Sequence, residues 1–223
     1  MSAVLGVFGG TFDPIHCGHL ELAREVRAAL DLVAVRFIPA GDPPHRAAPV
    51  VPAIHRLAMV ELAITDHPGL EVDSREIQRK GRSYTVETLE ELRRELPSRT
   101  LALIVGGDAF LGFAGWRRWR ELFELAHVIV VARPGVSLES ALPPPLAAEW
   151  ATRLRGDASA LTTDGAGAII VQPITAHPIS ASAIREELSR GPEGIAAVRG
   201  LLPAAVLAYI DRNQLYRSRP DAA

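Results

Sequence analysis

Two histidines, His16 and His19, stand three residues apart in the stretch Gly9-Gly10-Thr11-Phe12-Asp13-Pro14-Ile15-His16-Cys17-Gly18-His19. An imidazole supplies a hydrogen-bond donor in either protonation form near neutral pH, and glycines let backbone N–H groups approach a ligand closely. The apolar run Val4 to Phe8 ahead of the stretch reads as a buried strand, and Leu20 to Arg27 after it as an amphipathic helix. The histidines therefore fall where a strand gives way to a helix, and a helix N-terminus presents unpaired N–H groups and a favourable dipole to an anion. That combination points to phosphate binding. A metal site using both histidines with Cys17 and Asp13 is an alternative, as is a hydrogen-bonded structural pair. No further His/Cys cluster at ligand spacing closes a metal shell.

Composition narrows the class. The 223 residues are 48% hydrophobic and 22% charged, with no long unbroken apolar run, as in a soluble globular protein with no membrane partner. A net charge of -2 argues against a general nucleic-acid binder, which needs a basic excess to neutralise phosphates, so any anion site is local. The single Cys17 excludes an internal disulfide, and the N-terminus runs straight into a strand without a secretory pattern; a cytoplasmic location is expected. Lys80 is the sole lysine, so arginine at any one position is weak evidence of a need for arginine there.

Apolar strands alternate with amphipathic helices along the chain. A second strand, Ala34 to Ile38, leads into Pro39-Ala40-Gly41-Asp42-Pro43-Pro44-His45-Arg46, too rich in proline to be helical. A helix from Ala53 to Thr65, a short strand Leu70 to Val72 and a polar link Asp73 to Arg82 follow, then a helix from Thr85 to Pro97. Strands Leu101 to Val105 and Val128 to Ala132 end in Gly106-Gly107-Asp108 and Arg133-Pro134-Gly135, and Ala168 to Val171 restores a strand before helices Ser182 to Arg190 and Ala204 to Arg212. Residues 136–167, with Pro143-Pro144-Pro145 and a Gly/Asp-rich end, read as a surface excursion with a helix around Trp150. Strands buried on both faces and separated by helices predict a Rossmann-like α/β fold, a doubly wound parallel sheet covered on each side. One domain over 1–216 and a disordered tail over 217–223 are expected. In such a sheet the polar clusters that follow successive strands, at His16, His45, Asp108, Arg133 and Ser180, converge on one edge.

Gly10 to His19 resembles the HxGH signature of the nucleotidyltransferase superfamily, and Ile179-Ser180-Ala181-Ser182-Ala183-Ile184-Arg185 resembles its second, C-terminal signature. Pro43-Pro44-His45-Arg46, Ser83-Tyr84-Thr85, Gly106-Gly107-Asp108, Trp116 and Arg133-Pro134-Gly135 occur in the order and approximate spacing of the bacterial nicotinate-nucleotide adenylyltransferase family, and Tyr209-Ile210 and Leu215-Tyr216 fit it too. The likeness spans nearly the whole chain apart from 136–167. It implies a nucleotidyltransferase-type fold and an enzyme of NAD biosynthesis that joins the adenylyl group of ATP to nicotinate mononucleotide, releasing pyrophosphate. Mg2+ would be carried mainly by the ATP phosphates, with no protein metal site.

In that reaction the nucleophile is a phosphate, whose second pKa of about 6 leaves it mostly dianionic at neutral pH. No base is needed, and the protein's task is positioning and charge stabilisation. His16, His19 and Arg185 are the expected catalytic groups, the histidines donating to the α-phosphate and Arg185 reaching the β- or γ-phosphate. The resemblance assigns Gly9, Gly10, Thr11, Gly18, Gly106, Asp108, Ile179, Ser180 and Ser182 to ATP. It assigns Arg46, Thr85, Trp116, Arg117 and Arg133 to the mononucleotide, with the Trp116 indole stacked on the pyridine ring and N–H groups near Thr85 receiving its carboxylate. Plainer readings stand beside these. Ser180 and Ser182 serve as helix caps, Arg185 as a solvated charge in the first turn of its helix, Asp108 as the N-cap of a helix over 109–113, Arg133 as a strand-end residue, and Cys17 and Trp119 as packing residues.

Other acceptors define the competing activities: nicotinamide mononucleotide, phosphopantetheine, or glycerol phosphate with a cytidylyl donor. Phosphopantetheine enzymes usually carry threonine where this chain has His16, and neither of the last two accounts for Ser83-Tyr84-Thr85 with Trp116. A nucleotide sensor that has lost catalysis is the reading from another class, and the intact His16, His19 and Arg185 argue against it. The sequence leaves room for a homo-oligomer and identifies no surface for one.

Overall fold

The alternating pattern resolves into seven strands and eleven α-helices among the described residues, which are 4–43, 48–132, 138–175 and 178–217 of a computed structural model. The strands are β1 (Val4–Gly10), β2 (Ala34–Pro39), β3 (Leu70–Val72), β4 (Thr100–Gly106), β5 (His127–Ala132), β6 (Leu154–Arg155) and β7 (Ile169–Pro173). The helices are α1 (Cys17–Ala29), α2 (Ala53–Ile64), α3 (Arg75–Gln78), α4 (Thr85–Glu95), α5 (Gly107–Leu111), α6 (Leu122–Leu125), α7 (Pro144–Arg153), α8 (Ala160–Thr163), α9 (Ala181–Ser189), α10 (Pro192–Ala197) and α11 (Ala204–Arg212). None is long and apolar enough to cross a membrane.

The strands form one sheet in the order β3-β2-β1-β4-β5-β7-β6, and every neighbouring pair is parallel. All carboxyl ends therefore share one edge. The chain moves outward through β2 and β3 on one side of β1 and resumes at β4 on the other, so the β1/β4 boundary is the switch point at which an α/β sheet opens a crevice for ligands. Strand residues alternate between two cores. Val4, Phe8, Ala102, Ile104, Ile129 and Val131 face the layer that contains α1, α2, α9 and α11. Leu5, Val7, Leu101, Leu103, Val105, Val128 and Val130 face the layer of α4, α5, α6 and α7. This period-two division of nearly unbroken apolar runs is what a parallel sheet covered on both faces requires.

Two segments depart from the expected pattern. The 136–167 stretch, expected as a surface excursion, contributes the edge strand β6 and sends Leu146, Trp150 and Leu161 into the cores. Its proline run starts a helix: Pro143 is the N-cap of α7 and Pro144 its first residue, positions where the missing N–H costs nothing. The polar link Asp73 to Arg82 contains α3, whose Glu76 is buried. Trp150→Ala is expected to lower the unfolding free energy by about 3–5 kcal/mol, read as a lower denaturant midpoint; a change near zero would restore the view of 136–167 as an unpacked excursion.

Candidate active site

Gly9 and Gly10 are the last residues of β1, in register with Ile38 and Pro39 of β2. A Cβ at Gly9 would project into open space, so the bare backbone faces the crevice edge. At Gly10 a Cβ would lie 2.8 Å from the Phe12 ring, so glycine is what lets Phe12 fold back beneath the strand end. Phe12 has φ +49°, and its ring packs against Phe8 and Phe37 at 5.6 and 5.5 Å. It also meets His19 edge-on at 5.2 Å. The aromatic cluster thus supports one face of the catalytic candidate. Thr11 and Gly18, the latter in the first turn of α1, are half-buried on the same turn.

His16 is the N-cap of α1, and its ring stacks on His19 with centroids 3.7 Å apart and planes at 26°. The His16 N–H donates to His19 Nδ1 at 3.2 Å. An accepting Nδ1 places the proton of the neutral His19 imidazole on Nε2. The His19 N–H donates to the His16 carbonyl at 2.9 Å, and the His16 side chain makes no cap hydrogen bond. His16 Nδ1 is left buried without a hydrogen-bond partner. Burial also holds the His16 imidazole down to about 4, so it is neutral at physiological pH.

Asp13 fixes the turn from below. Its Oδ1 accepts the Tyr216 hydroxyl at 2.7 Å, its Oδ2 accepts the Val50 N–H at 2.7 Å, and its backbone carbonyl accepts Arg185 Nη1 at 2.7 Å. Arg185 Nη2 donates to Ser182 Oγ at 3.2 Å. The two signature segments are therefore in direct contact through Arg185 and Asp13. Arg185 is the fifth residue of α9, one residue further in than expected, because the helix begins at Ala181 and not at Ser182. Ser180 occupies the N-cap of α9 with extended backbone but makes no side-chain cap bond. Ser180 and Ser182 are exposed there, and Ile179 packs against the core.

On the other side of the switch point, Gly106 is the N-cap of α5 and Asp108 lies exposed in its first turn. Asp108 is not the N-cap of a helix over 109–113, because α5 begins two residues earlier than that reading supposed. Thr85 is the first residue of α4, and the preceding Tyr84 ring is covered by the Arg117 guanidinium at 4.5 Å. Trp116 is half-buried, packs against the Phe113 ring at 4.9 Å and directly precedes Arg117 in the chain. Arg46 and Arg133 lie outside the described residues. Three buried partners were not assigned site roles from sequence: Asp13, Tyr216 and Arg56. Arg56 had a readable signal, since it shares helical spacing with the buried Met59, Val60 and Ala63. An arginine on an apolar face calls for buried acceptors.

A cytidylyltransferase-like family model matches residues 7–187. A probable nicotinate-nucleotide adenylyltransferase of Dechloromonas aromatica is 50% identical over 220 residues, covering 98% of this chain and all of the relative. One of Halorhodospira halophila is 51% identical over 202 residues, covering 91% and 90% of the two chains. The chain belongs to the nicotinate-nucleotide adenylyltransferase family. The fold is likewise that of Plasmodium falciparum nicotinic acid mononucleotide adenylyltransferase complexed with NaAD, with TM-score 0.71 at 16% identity over 96% of this chain and 97% of that one.

The folded His16 pKa of about 4 lies below its ordinary 6.5, so the unfolded member of the family takes up this proton first. The neutral burial of His16 therefore contributes fully above about pH 6.5 and is withdrawn as pH falls toward about 4. Imidazole nitrogen NMR of the ligand-free protein is expected to show His16 still neutral at about pH 5.5, well below the usual histidine midpoint. A His16 midpoint near 6.5 would contradict its buried placement.

Proposed function

We propose that this chain transfers the adenylyl group of ATP to nicotinate mononucleotide. A phosphate oxygen of the mononucleotide attacks the α-phosphorus, a P–O bond forms as the bond to the β-phosphate bridging oxygen breaks, and nicotinate adenine dinucleotide and pyrophosphate leave. The observation that carries this reading is the stacked histidine pair at the β1 exit, with one buried nitrogen unpaired, in a chain whose near relatives are probable nicotinate-nucleotide adenylyltransferases. A buried imidazole nitrogen without a partner costs stability, and a phosphate oxygen supplies one.

The roles follow from the geometry. The His19 Nε2–H and a His16 N–H donate to α-phosphate oxygens as charge accumulates in the five-coordinate transition state. Neutral His16 keeps one nitrogen as donor, and no general base is asked of it because the attacking phosphate is already ionised. The exposed backbone at Gly9 leaves room for phosphates, and Gly10, Thr11 and Gly18 continue the phosphate-binding turn beside it. The uncapped N-terminus of α9 at Ser180 and Ser182, with Ile179 behind it and Arg185 beside it, receives the β- and γ-phosphates. Gly106 and Asp108 face the ribose. The α4 N-terminus at Thr85 takes the nicotinate carboxylate, Trp116 stacks on the ring, and Arg117, Arg46 and Arg133 neutralise the acceptor phosphate.

Among the described residues no group of three or more His, Cys, Asp or Glu side chains is arranged to hold an ion. One exposed carboxylate, Asp108, suits Mg2+ that arrives on the ATP phosphates, since this ion commonly takes one or two carboxylates plus substrate oxygens. Bound there it offsets phosphate charge.

Pyrophosphate release with ATP and Mg2+ is expected with nicotinate mononucleotide and absent with phosphopantetheine or glycerol phosphate. No release with the mononucleotide, or faster release with either alternative, overturns the assignment. His19→Ala is expected to lower kcat by about 100-fold or more, the cost of removing one transition-state donor, with unchanged circular dichroism; near-normal kcat removes its role.

A further inference from the structure

Arg56, the fourth residue of α2, is fully buried, and none of the ion pairs among the described residues includes it. Burying an arginine is costly unless its donors find acceptors. Here the acceptors are three backbone carbonyls from different segments: Thr11 at 2.7 Å from Nη1, Gly41 at 3.0 Å from Nη2, and Val51 at 3.4 Å from Nε. Thr11 is the first residue beyond β1, in the turn that carries the histidines. Gly41 lies just beyond β2, and its N–H donates to Ser83 Oγ at 2.9 Å. The Ser83 N–H returns a bond to the Asp42 carbonyl at 2.9 Å. Ser83 directly precedes Tyr84 and Thr85, the start of α4. A Cβ at Gly41 would collide with the Glu76 carbonyl oxygen, so this connection has no slack for a side chain.

We infer that Arg56 is a positioning residue for the transfer, setting the distance between the histidine turn and the α4 N-terminus through Gly41 and Ser83. The inference rests on the adenylyl-transfer reading, in which those two segments hold the ATP and the acceptor. The planar guanidinium fork fixes the separation of the two carbonyls it bridges. An in-line displacement is sensitive to that separation, because small misplacements of reacting groups cost rate more than they cost binding of either substrate alone.

The test uses the full-length enzyme with ATP, Mg2+ and nicotinate mononucleotide. Arg56→Lys keeps the charge and loses the fork; it is expected to lower kcat at least about tenfold while each KM, and each substrate's separate Kd by calorimetry, stays within about threefold. Ser83→Ala leaves Arg56 in place and cuts the same connection further along, with an expected loss in kcat of about fivefold; the double variant is no worse than Arg56→Lys, because both act on one chain of bonds. Wild-type kcat per folded Arg56→Lys molecule overturns the inference, as does a loss expressed as a raised KM, or losses that multiply in the double variant. Should Arg56→Lys not fold, the kcat-against-KM split of Ser83→Ala decides, with unchanged kcat the overturning result. A wild-type enzyme without transfer activity would instead sink the underlying reading of the site.

Discussion

A parallel sheet delivers every strand to one edge, where the chain must leave it, and the backbone carbonyls beyond the last ladder bond need partners in a place partly closed to water. In this protein a buried cation meets that need for donors, and a buried anion beside it serves as the acceptor for nearby N–H and O–H groups. Arg56 donates to carbonyls beyond β1, beyond β2 and ahead of α2. Asp13 accepts the Val50 N–H and the Tyr216 hydroxyl. The two charges sense one another, the Asp13 carboxylate favouring the protonated guanidinium against its burial. Burial and Asp13 together push the Tyr216 phenol well above its ordinary range, so it stays a donor. Tyr216 lies 203 residues from Asp13 in sequence, and this bond closes the fold around the histidine turn.

The same environment sets the chemistry available there. Excluding water strengthens the interaction of fixed donors with a phosphate and also keeps His16 neutral. Cys17, beside it, is a poor nucleophile, because burial and the nearby Glu21 charge raise its thiol pKa. What the turn offers is therefore donors held in place and a backbone stripped of side chains at Gly9. Arg185 is held against the same turn by the Asp13 carbonyl, so the second signature segment is positioned by the first.

Much of this was legible from residue types and spacing. Nearly unbroken apolar runs alternating with amphipathic ones specify a covered parallel sheet, and the polar clusters after each strand mark the edge they share. The histidine turn stood out because paired histidines and glycines follow directly on a buried strand, whereas Thr85 and Trp116 were assigned through the family resemblance. Asp13 and Tyr216 were hard to read because their partners are backbone groups or residues remote in sequence, which no local pattern encodes; Arg56 showed itself only as an arginine at helical spacing with buried apolar positions, its carbonyl partners being remote. The 136–167 segment was misleading for a different reason. Prolines usually break elements, but Pro143 and Pro144 begin a helix, and the buried positions Leu146 and Trp150 make only a two-point stripe. Asp108 illustrates the limit on boundaries, since the glycine ahead of it, not the aspartate, caps the helix.

The central claim is that the protein positions two phosphates for a single direct displacement and forms no covalent intermediate, although histidine is itself able to act as a nucleophile. Stereochemistry at the α-phosphorus tests this most directly. With ATP made chiral at that phosphorus by sulfur substitution, one in-line transfer to nicotinate mononucleotide gives a product of inverted configuration. Retention would mean two displacements through an adenylylated side chain, and would contradict the account.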